Sequence, residues 1–179
     1  MLINIRKETE NDCNDIKSVN DKAFGQENEG KLVKNLRKNE KYNSDLSLIA
    51  EIDNKIVGHI LLFPIKVISQ KNEYETLSLA PMSVLPNYQK MSIGSKLIEY
   101  GIKAAKKAGY TSIIVLGHSD YYPRFGFVPA STFGIKPPFE VPDTAFMALE
   151  LLPNSLKGKE GTVKYPKEYN AGIDCEDLL

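Results

Sequence analysis

The sequence predicts an α+β fold, a mixed sheet with helices against it, and three patterns carry that prediction. Strand-like alternation and helix-like periodicity interleave along the chain in the order β-α-α-β-β-β-α-β-α-β-β. Three strands in succession between residues 46 and 84 form a meander, joined by turns at Asp53-Asn54-Lys55 and Gln70-Lys71-Asn72-Glu73. An unbroken apolar run, Ser112-Ile113-Ile114-Val115-Leu116, reads as a strand buried on both faces.

Each element has its own signal. Leu2-Ile3-Asn4-Ile5-Arg6 alternates as a strand does. Thr9 then opens a helix, with Glu10 and Asp12 at its positive end and Ile16, Val19 and Phe24 at helical spacing. Gly25 ends it, and a second helix covers residues 27 to 37 with Leu32, Val33 and Leu36 on one face. The meander follows as strands over 46–52, 56–68 and 74–84. Pro81 inside the last of these marks a bulge or an opening in the sheet, because proline cannot donate to a ladder. Residues 93 to 108 carry Ile93, Leu97, Ile98, Ile102 and Ala105 on one helical face, stopped by Gly109. After the apolar strand, residues 120 to 124 form a short helix, and a strand lies near Phe127-Val128. A proline-rich loop (Pro137, Pro138, Pro142) precedes a strand over 144–152. The tail beyond Pro153 is polar and irregular, with one short strand at 162–165. Residues 1–152 therefore read as the main domain, and 153–179 as an extension packed on it or trailing from it.

Composition narrows the function. With 179 residues, the chain is long enough for one domain that buries about two-thirds of its unfolded surface. The 23 basic and 23 acidic residues cancel, so no global field recruits nucleic acid or an anionic membrane. Cys13 and Cys175 show no CxxC spacing, and His59 and His118 lack metal-ligand company. Two free thiols and no apolar leader or membrane-length segment predict a cytoplasmic protein without a metal.

The chemistry concentrates at one joint, from Ala80-Pro81-Met82-Ser83-Val84 through Gln89-Lys90-Met91-Ser92-Ile93-Gly94-Ser95 to Leu97. A strand ends, a tight turn follows, and a helix starts with small residues at its mouth. The first helical turn leaves backbone N–H groups unpaired, and the dipole adds positive potential, which together make an anion site. The stretch resembles motif A of the GNAT (GCN5-related N-acetyltransferase) superfamily, Gln/Arg-x-x-Gly-x-Gly/Ala after a strand, with Gln89, Ser92 and Gly94 at the three positions. Ser92 stands where the family has glycine, and a left-handed backbone there would cost about 1 kcal/mol. A second segment, His118-Ser119-Asp120-Tyr121-Tyr122-Pro123-Arg124-Phe125-Gly126-Phe127, is similar to the superfamily's Phe-Tyr-x-x-x-Gly-Phe. The run from Leu116-Gly117-His118 to Val128-Pro129, with the later strand Phe146-Met147-Ala148-Leu149-Glu150-Leu151, resembles the YhbS-type acetyltransferases.

The resemblance implies a central, mostly antiparallel mixed sheet and transfer of the acetyl group of acetyl-CoA to a primary amine in a ternary complex. Backbone groups of Met82, Ser83 and Val84 would pair with the pantetheine arm, and the Met82 N–H would be the oxyanion donor. N–H groups from Lys90 to Ser95, among them those of Met91, Ile93 and Gly94, would hold the pyrophosphate. Tyr122 would protonate the departing thiolate and touch the cofactor. In histone-acetylating relatives a glutamate four residues before the oxyanion donor acts as base, and here that position is Ser78. Glu51 acting through water, Asp120, Glu140 or an amine that arrives neutral are the alternatives. Phe24, Phe63, Tyr121 and Phe133 would wall the acceptor cleft, for a small-molecule or peptide amine. Tyr121 and Tyr122 also fit as plain packing aromatics, His118 as a structural histidine, and Arg124 as a helix-end pairing residue. The chain is a monomer or a homodimer in this reading. The rival from another class is a non-catalytic acyl-CoA-binding sensor of the same fold, favoured by Ser78 and Ser92. A dinucleotide-binding domain is disfavoured, since no GxGxxG is present.

Overall fold

Residues 2–170 are described by a computed structural model of the chain; Cys175 lies outside them. The fold is α+β, a mixed and mostly antiparallel sheet flanked by helices. Its residues fall into two compact units, one formed by 2–63 with 80–108 and the other by 64–79 with 109–170.

In the first unit, β1 (Asn4–Lys7) pairs antiparallel with β2 (Ser47–Ile52), from Asn4 opposite Glu51 to Lys7 opposite Leu48. The next strand, β3, runs from Lys55 to Ile68 and enters by a two-residue turn. That turn needs positive φ at both positions, and Asp53 (φ 50) and Asn54 (φ 61) supply it. The β2–β3 register slips between Ala50 opposite Gly58 and Glu51 opposite Ile56, so Val57 is the extra residue of a bulge. Two helices follow β1 in sequence, α1 (Cys13–Phe24) and α2 (Asn28–Leu36). Gly25, at φ 70, closes α1, where a left-handed residue is required. Thr9 and Asp12 tie the entry to α1, with the Thr9 N–H and hydroxyl donating to Asp12 Oδ2 at 2.7 and 2.8 Å. The unit is completed by the end of β4 (Glu73–Val84) and by α3 (Ile93–Lys107). The Ala80-Pro81 peptide bond within β4 is cis.

A buried polar chain runs through this unit. Glu8 accepts from Arg37 Nε at 2.8 Å, from Ser47 Oγ at 2.6 Å and from the Tyr42 hydroxyl. Ser47 also meets His59 Nε2 at 2.9 Å, and Asn20 Nδ2 lies 3.1 Å from His59 Nδ1. Asn20 also donates to the Ile16 carbonyl, so Asn20 faces Nδ1 as a donor and the His59 proton sits on Nε2. Burial lowers the His59 pKa to about 3, keeping the ring neutral. Burial pushes Glu8 up, but the hydrogen bonds from Arg37, Ser47 and Tyr42 outweigh it and hold Glu8 below the usual carboxylate range.

In the second unit, the first part of β4 lies parallel to β5 (Ser112–Leu116), with Leu77 opposite Ile113 and Ser78 opposite Ile114. The short β6 (Val128–Pro129) pairs with β8 (Phe146–Glu150), which in turn pairs antiparallel with β5. A proline-started 3-10 turn takes residues 143–145, which is why the strand expected from 144 begins at Phe146. Ahead of the proline-rich loop the chain forms a 3-10 turn over Ala130–Phe133 and β7 (Ile135–Lys136), neither of which the sequence declared. Two residues are too few to show a period, and β7 exists because β9 (Gly161–Lys164) lies parallel beside it. Strand β9 also pairs antiparallel with the end of β3, at Lys66 to Ile68. The core of this unit joins Ile65, Val67, Ile114, Phe146 and Ala148 to Leu156 and Val163 from the segment after Pro153.

Candidate active site

The strand–turn–helix joint from Ala80 to Leu97 belongs to the first unit. As β4 ends, the Leu85 N–H donates to the Val57 carbonyl at 2.8 Å, the residue of the β3 bulge. Pro86–Tyr88 turn as a 3-10 helix, and Gln89 resumes an extended conformation. Lys90 and Ser92 both have φ 61, so positive φ recurs at alternate residues. Alternation of this kind aims successive N–H groups into one concavity, an anion-binding nest. Ser92 does adopt the left-handed backbone (φ 61, ψ 12) expected where the family has glycine. Its carbonyl accepts the Lys96 N–H at 3.0 Å, which closes the first turn of α3. Gln89 through Ser92 are exposed, while Ile93 and Leu97 are buried and anchor the helix start. No acidic residue stands in the first turn of α3, so nothing there opposes the positive end of the helix dipole.

The Gln89 side chain is used within the loop itself. Its Nε2 donates to the Val84 carbonyl at 3.2 Å, binding the loop to the strand it leaves. Lys55 Nζ lies 5.6 Å from the centroid of the Tyr88 ring. Met82 and Val84 are half-buried and Ser83 is buried on β4.

Glu51 is committed elsewhere. It accepts from Arg6 Nη2 at 2.6 Å and from Asn4 Nδ2 at 3.0 Å, while Arg6 also grips Asp12. The Arg6 hydrogen bond lowers the Glu51 pKa, the reverse of what a proton acceptor for an amine needs. Phe63 is 1% exposed and packs in the core, so it presents no surface to an acceptor. Phe24 is half-buried on the last turn of α1.

Tyr122 belongs to the second unit. It opens a 3-10 turn, Tyr122–Phe125, ended by Gly126 at φ 94. Its ring meets Tyr121 edge-on at 5.4 Å and Phe127 at 5.6 Å. Burial raises its pKa, and the phenol stays protonated across the physiological range. Tyr121 is half-buried and carries the Arg124 guanidinium 4.2 Å over its ring, while Arg124 Nε donates to the Tyr121 carbonyl at 2.9 Å. That gives Arg124 its pairing role at the end of the turn. His118, an exposed side chain, contributes its carbonyl to the Tyr121 N–H at 3.1 Å. Asp120 and Glu140 are exposed, and Phe133 packs half-buried against the core. Ser78 is 3% exposed on β4.

One residue of this region has no signal of its own in the sequence. A Cβ at Gly117 would lie 2.3 Å from Tyr122 Cε2 and 3.0 Å from Cδ2. Only glycine leaves room for the ring. The turn-forming glycines declare themselves by their neighbours; Gly117 matters for its missing side chain, which shows only in three dimensions.

A sequence model of the Acetyltransferase (GNAT) family matches residues 13–127. A curated relative, an uncharacterized N-acetyltransferase, YjhQ, of Escherichia coli strain K12, is 38% identical over 133 residues, 74% of each chain. The crystal structure of the GNAT family N-acetyltransferase YhbS from Escherichia coli in complex with CoA superposes with a TM-score of 0.87 at 26% identity. It covers 96% of this chain and 94% of that one. A GNAT family acetyltransferase from Brucella melitensis, crystallised with acetyl-CoA, gives 0.75 at 31% identity over 94% and 98% of the two chains. Among the described residues no helix is long and apolar enough to cross a membrane, and no group of three His, Cys, Asp or Glu is placed to hold a metal.

Proposed function

This chain belongs to the GNAT family of acetyltransferases, and from that premise we propose that it moves the acetyl group of acetyl-CoA onto a primary amine by direct attack in a ternary complex. The observation that carries the proposal is the paired positive φ at Lys90 and Ser92, directly before α3 and inside the family match. Acetyl-CoA supplies the activated thioester. The chain's own contribution is to hold and polarise it. Backbone N–H groups from Lys90 to Ser95 bind the pyrophosphate, and β4 from Met82 to Val84 pairs with the pantetheine arm. The Met82 N–H donates to the thioester oxygen as charge develops there, a contribution of about 3 kcal/mol in comparable sites.

As the amine nitrogen bonds to the carbonyl carbon, the carbon–sulfur bond breaks and the thiolate leaves. Tyr122 donates its phenol proton to a hydrogen bond on that sulfur. A phenol raised by burial is a weaker acid than a thiol, so its help is stabilisation of the thiolate, at the lower end of the ~10²–10⁴-fold range. The amine enters neutral and sheds its extra proton to water after attack. The hold of Arg6 on the Glu51 carboxylate supports this reading over a base at Glu51. The acceptor is a small-molecule or peptide amine.

Ser78 at the usual base position and the engagement of Glu51 favour a second reading, an acyl-CoA sensor without turnover. Release of CoA thiol over a broad amine panel separates the two, with Tyr122→Phe as control. Turnover that falls at least tenfold in the variant supports the enzyme. Acetyl-CoA binding with no turnover on any amine supports the sensor.

A further inference from the structure

We propose that Gly58 is a positioning residue for acetyl-CoA, fixing the distance between the strand that pairs with the pantetheine arm and the helix that receives the pyrophosphate. The inference rests on the cofactor assignment above. A Cβ added at Gly58 would lie 3.0 Å from Leu97 Cδ1, 3.2 Å from Ile93 Cγ2 and 3.2 Å from the Ser83 carbonyl oxygen. The three neighbours do not yield equally. Leu97 Cδ1 is the tip of a flexible side chain and can rotate away. Ile93 is β-branched, 1% exposed, and the first residue of α3. The Ser83 oxygen is backbone and moves only with β4.

A side chain at position 58 therefore displaces β4 at Ser83, or α3 at Ile93, by a few tenths of an ångström. Either displacement changes the spacing of the Met82–Val84 backbone and the Ile93–Ser95 backbone. The bulge beside it serves the same junction: Val57 is the extra residue, and its carbonyl accepts the Leu85 N–H where β4 leaves for the loop. Val57 and Gly58 thus set where β4 ends and how closely α3 begins beside it. A ligand that spans both elements feels their spacing directly.

Gly101 offers an internal control on the same helix. A Cβ there would meet Ile60 Cδ1 and Leu62 Cδ1 at 3.4 Å each, ordinary contact at side-chain ends. The test measures acetyl-CoA dissociation constants by calorimetry, both Michaelis constants and the melting temperature, for wild type, Gly58→Ala, Gly101→Ala and the double variant. Gly58→Ala is expected to weaken acetyl-CoA about tenfold in Kd and KM, with the amine KM within twofold of wild type. Gly101→Ala is expected to bind as wild type and to melt at the same or a higher temperature. The double variant uses that helix gain to keep the chain folded, and should bind as weakly as Gly58→Ala alone. If Gly58→Ala, or the double variant, melts lower yet binds acetyl-CoA as tightly as wild type, Gly58 only packs and the inference fails. A wild type that does not bind acetyl-CoA overturns the cofactor assignment itself, and this inference with it.

Discussion

The loop from Gln89 to Ser92 and the surroundings of Tyr122 are built on opposite principles. The loop is exposed, and the role proposed for it falls to backbone N–H groups around the positive-φ residues Lys90 and Ser92. Tyr122 is 7% exposed, and the role proposed for it falls to one hydroxyl whose ring is held by Tyr121, Phe127 and the bare Cα of Gly117. A backbone site tolerates a change of side chain as long as the dihedral angles survive. A side-chain site tolerates almost none, because its geometry is made by packing. The Ser-for-Gly replacement at position 92 illustrates the first case, and Gly117 the second.

The largest effect should follow from putting a wrong charge into the loop. Gly94→Glu places a carboxylate at the helix start proposed to receive the pyrophosphate. Acetyl-CoA at 100 times its dissociation constant stabilises a folded protein by about 2.7 kcal/mol. That stabilisation should vanish in the variant when followed by thermal shift. Equal stabilisation of wild type and variant would remove the loop from the site.

Next comes the aromatic side of the comparison. Gly117→Ala should lower kcat at least tenfold with acetyl-CoA binding unchanged, because the added methyl displaces the Tyr122 ring. Tyr122→Phe should do the same, and the double variant should be no slower than the worse single one. Additive losses in stopped-flow or steady-state rates would show that Gly117 acts by another route.

A medium effect separates the scaffold from the loop it carries. His59 is neutral in the fold, with its pKa lowered from 6.5 to about 3 by burial. Between those values the unfolded chain binds the proton and the folded chain does not, so stability falls as pH drops below 6.5. The slope is about 1.4 kcal/mol per pH unit, or about 2 kcal/mol lost at pH 5. Glu8 and Asp12, both held below their ordinary range, extend the loss toward lower pH. Urea unfolding of His59→Gln should be flat from pH 6.5 to 5 where wild type declines. An unchanged slope would assign the decline to other groups.

The same contrast governs what was legible in the sequence. The loop was legible because glycine, serine and a strand–turn–helix order are local, while the sequence shows only the cost of an αL backbone at Ser92 and not its presence. The meander and α3 were legible from period alone. Long-range consequences were not. Nothing local shows that Glu51 meets Arg6, 45 positions away, or that Phe63 is inside the core rather than at a surface. β7 exists only through its pairing with β9, and Gly117 only through the ring it admits. A pattern reads what a residue does to its own backbone, and contacts decide the rest.

The smallest effect is the sharpest test of the backbone principle. Ser92 holds a left-handed backbone that costs a non-glycine residue about 1 kcal/mol, and its side chain makes no cap hydrogen bond. Ser92→Gly relieves that cost but gives the unfolded chain more freedom, by roughly 0.5–1 kcal/mol. The two nearly cancel, so the melting temperature should move by only a few degrees in either direction. Acetyl-CoA affinity should stay within about threefold, because the N–H groups keep their directions. A tenfold loss, measured by calorimetry, would mean that the serine hydroxyl itself holds phosphate. The loop would then be partly a side-chain site, and the contrast with Tyr122 would narrow to one of exposure.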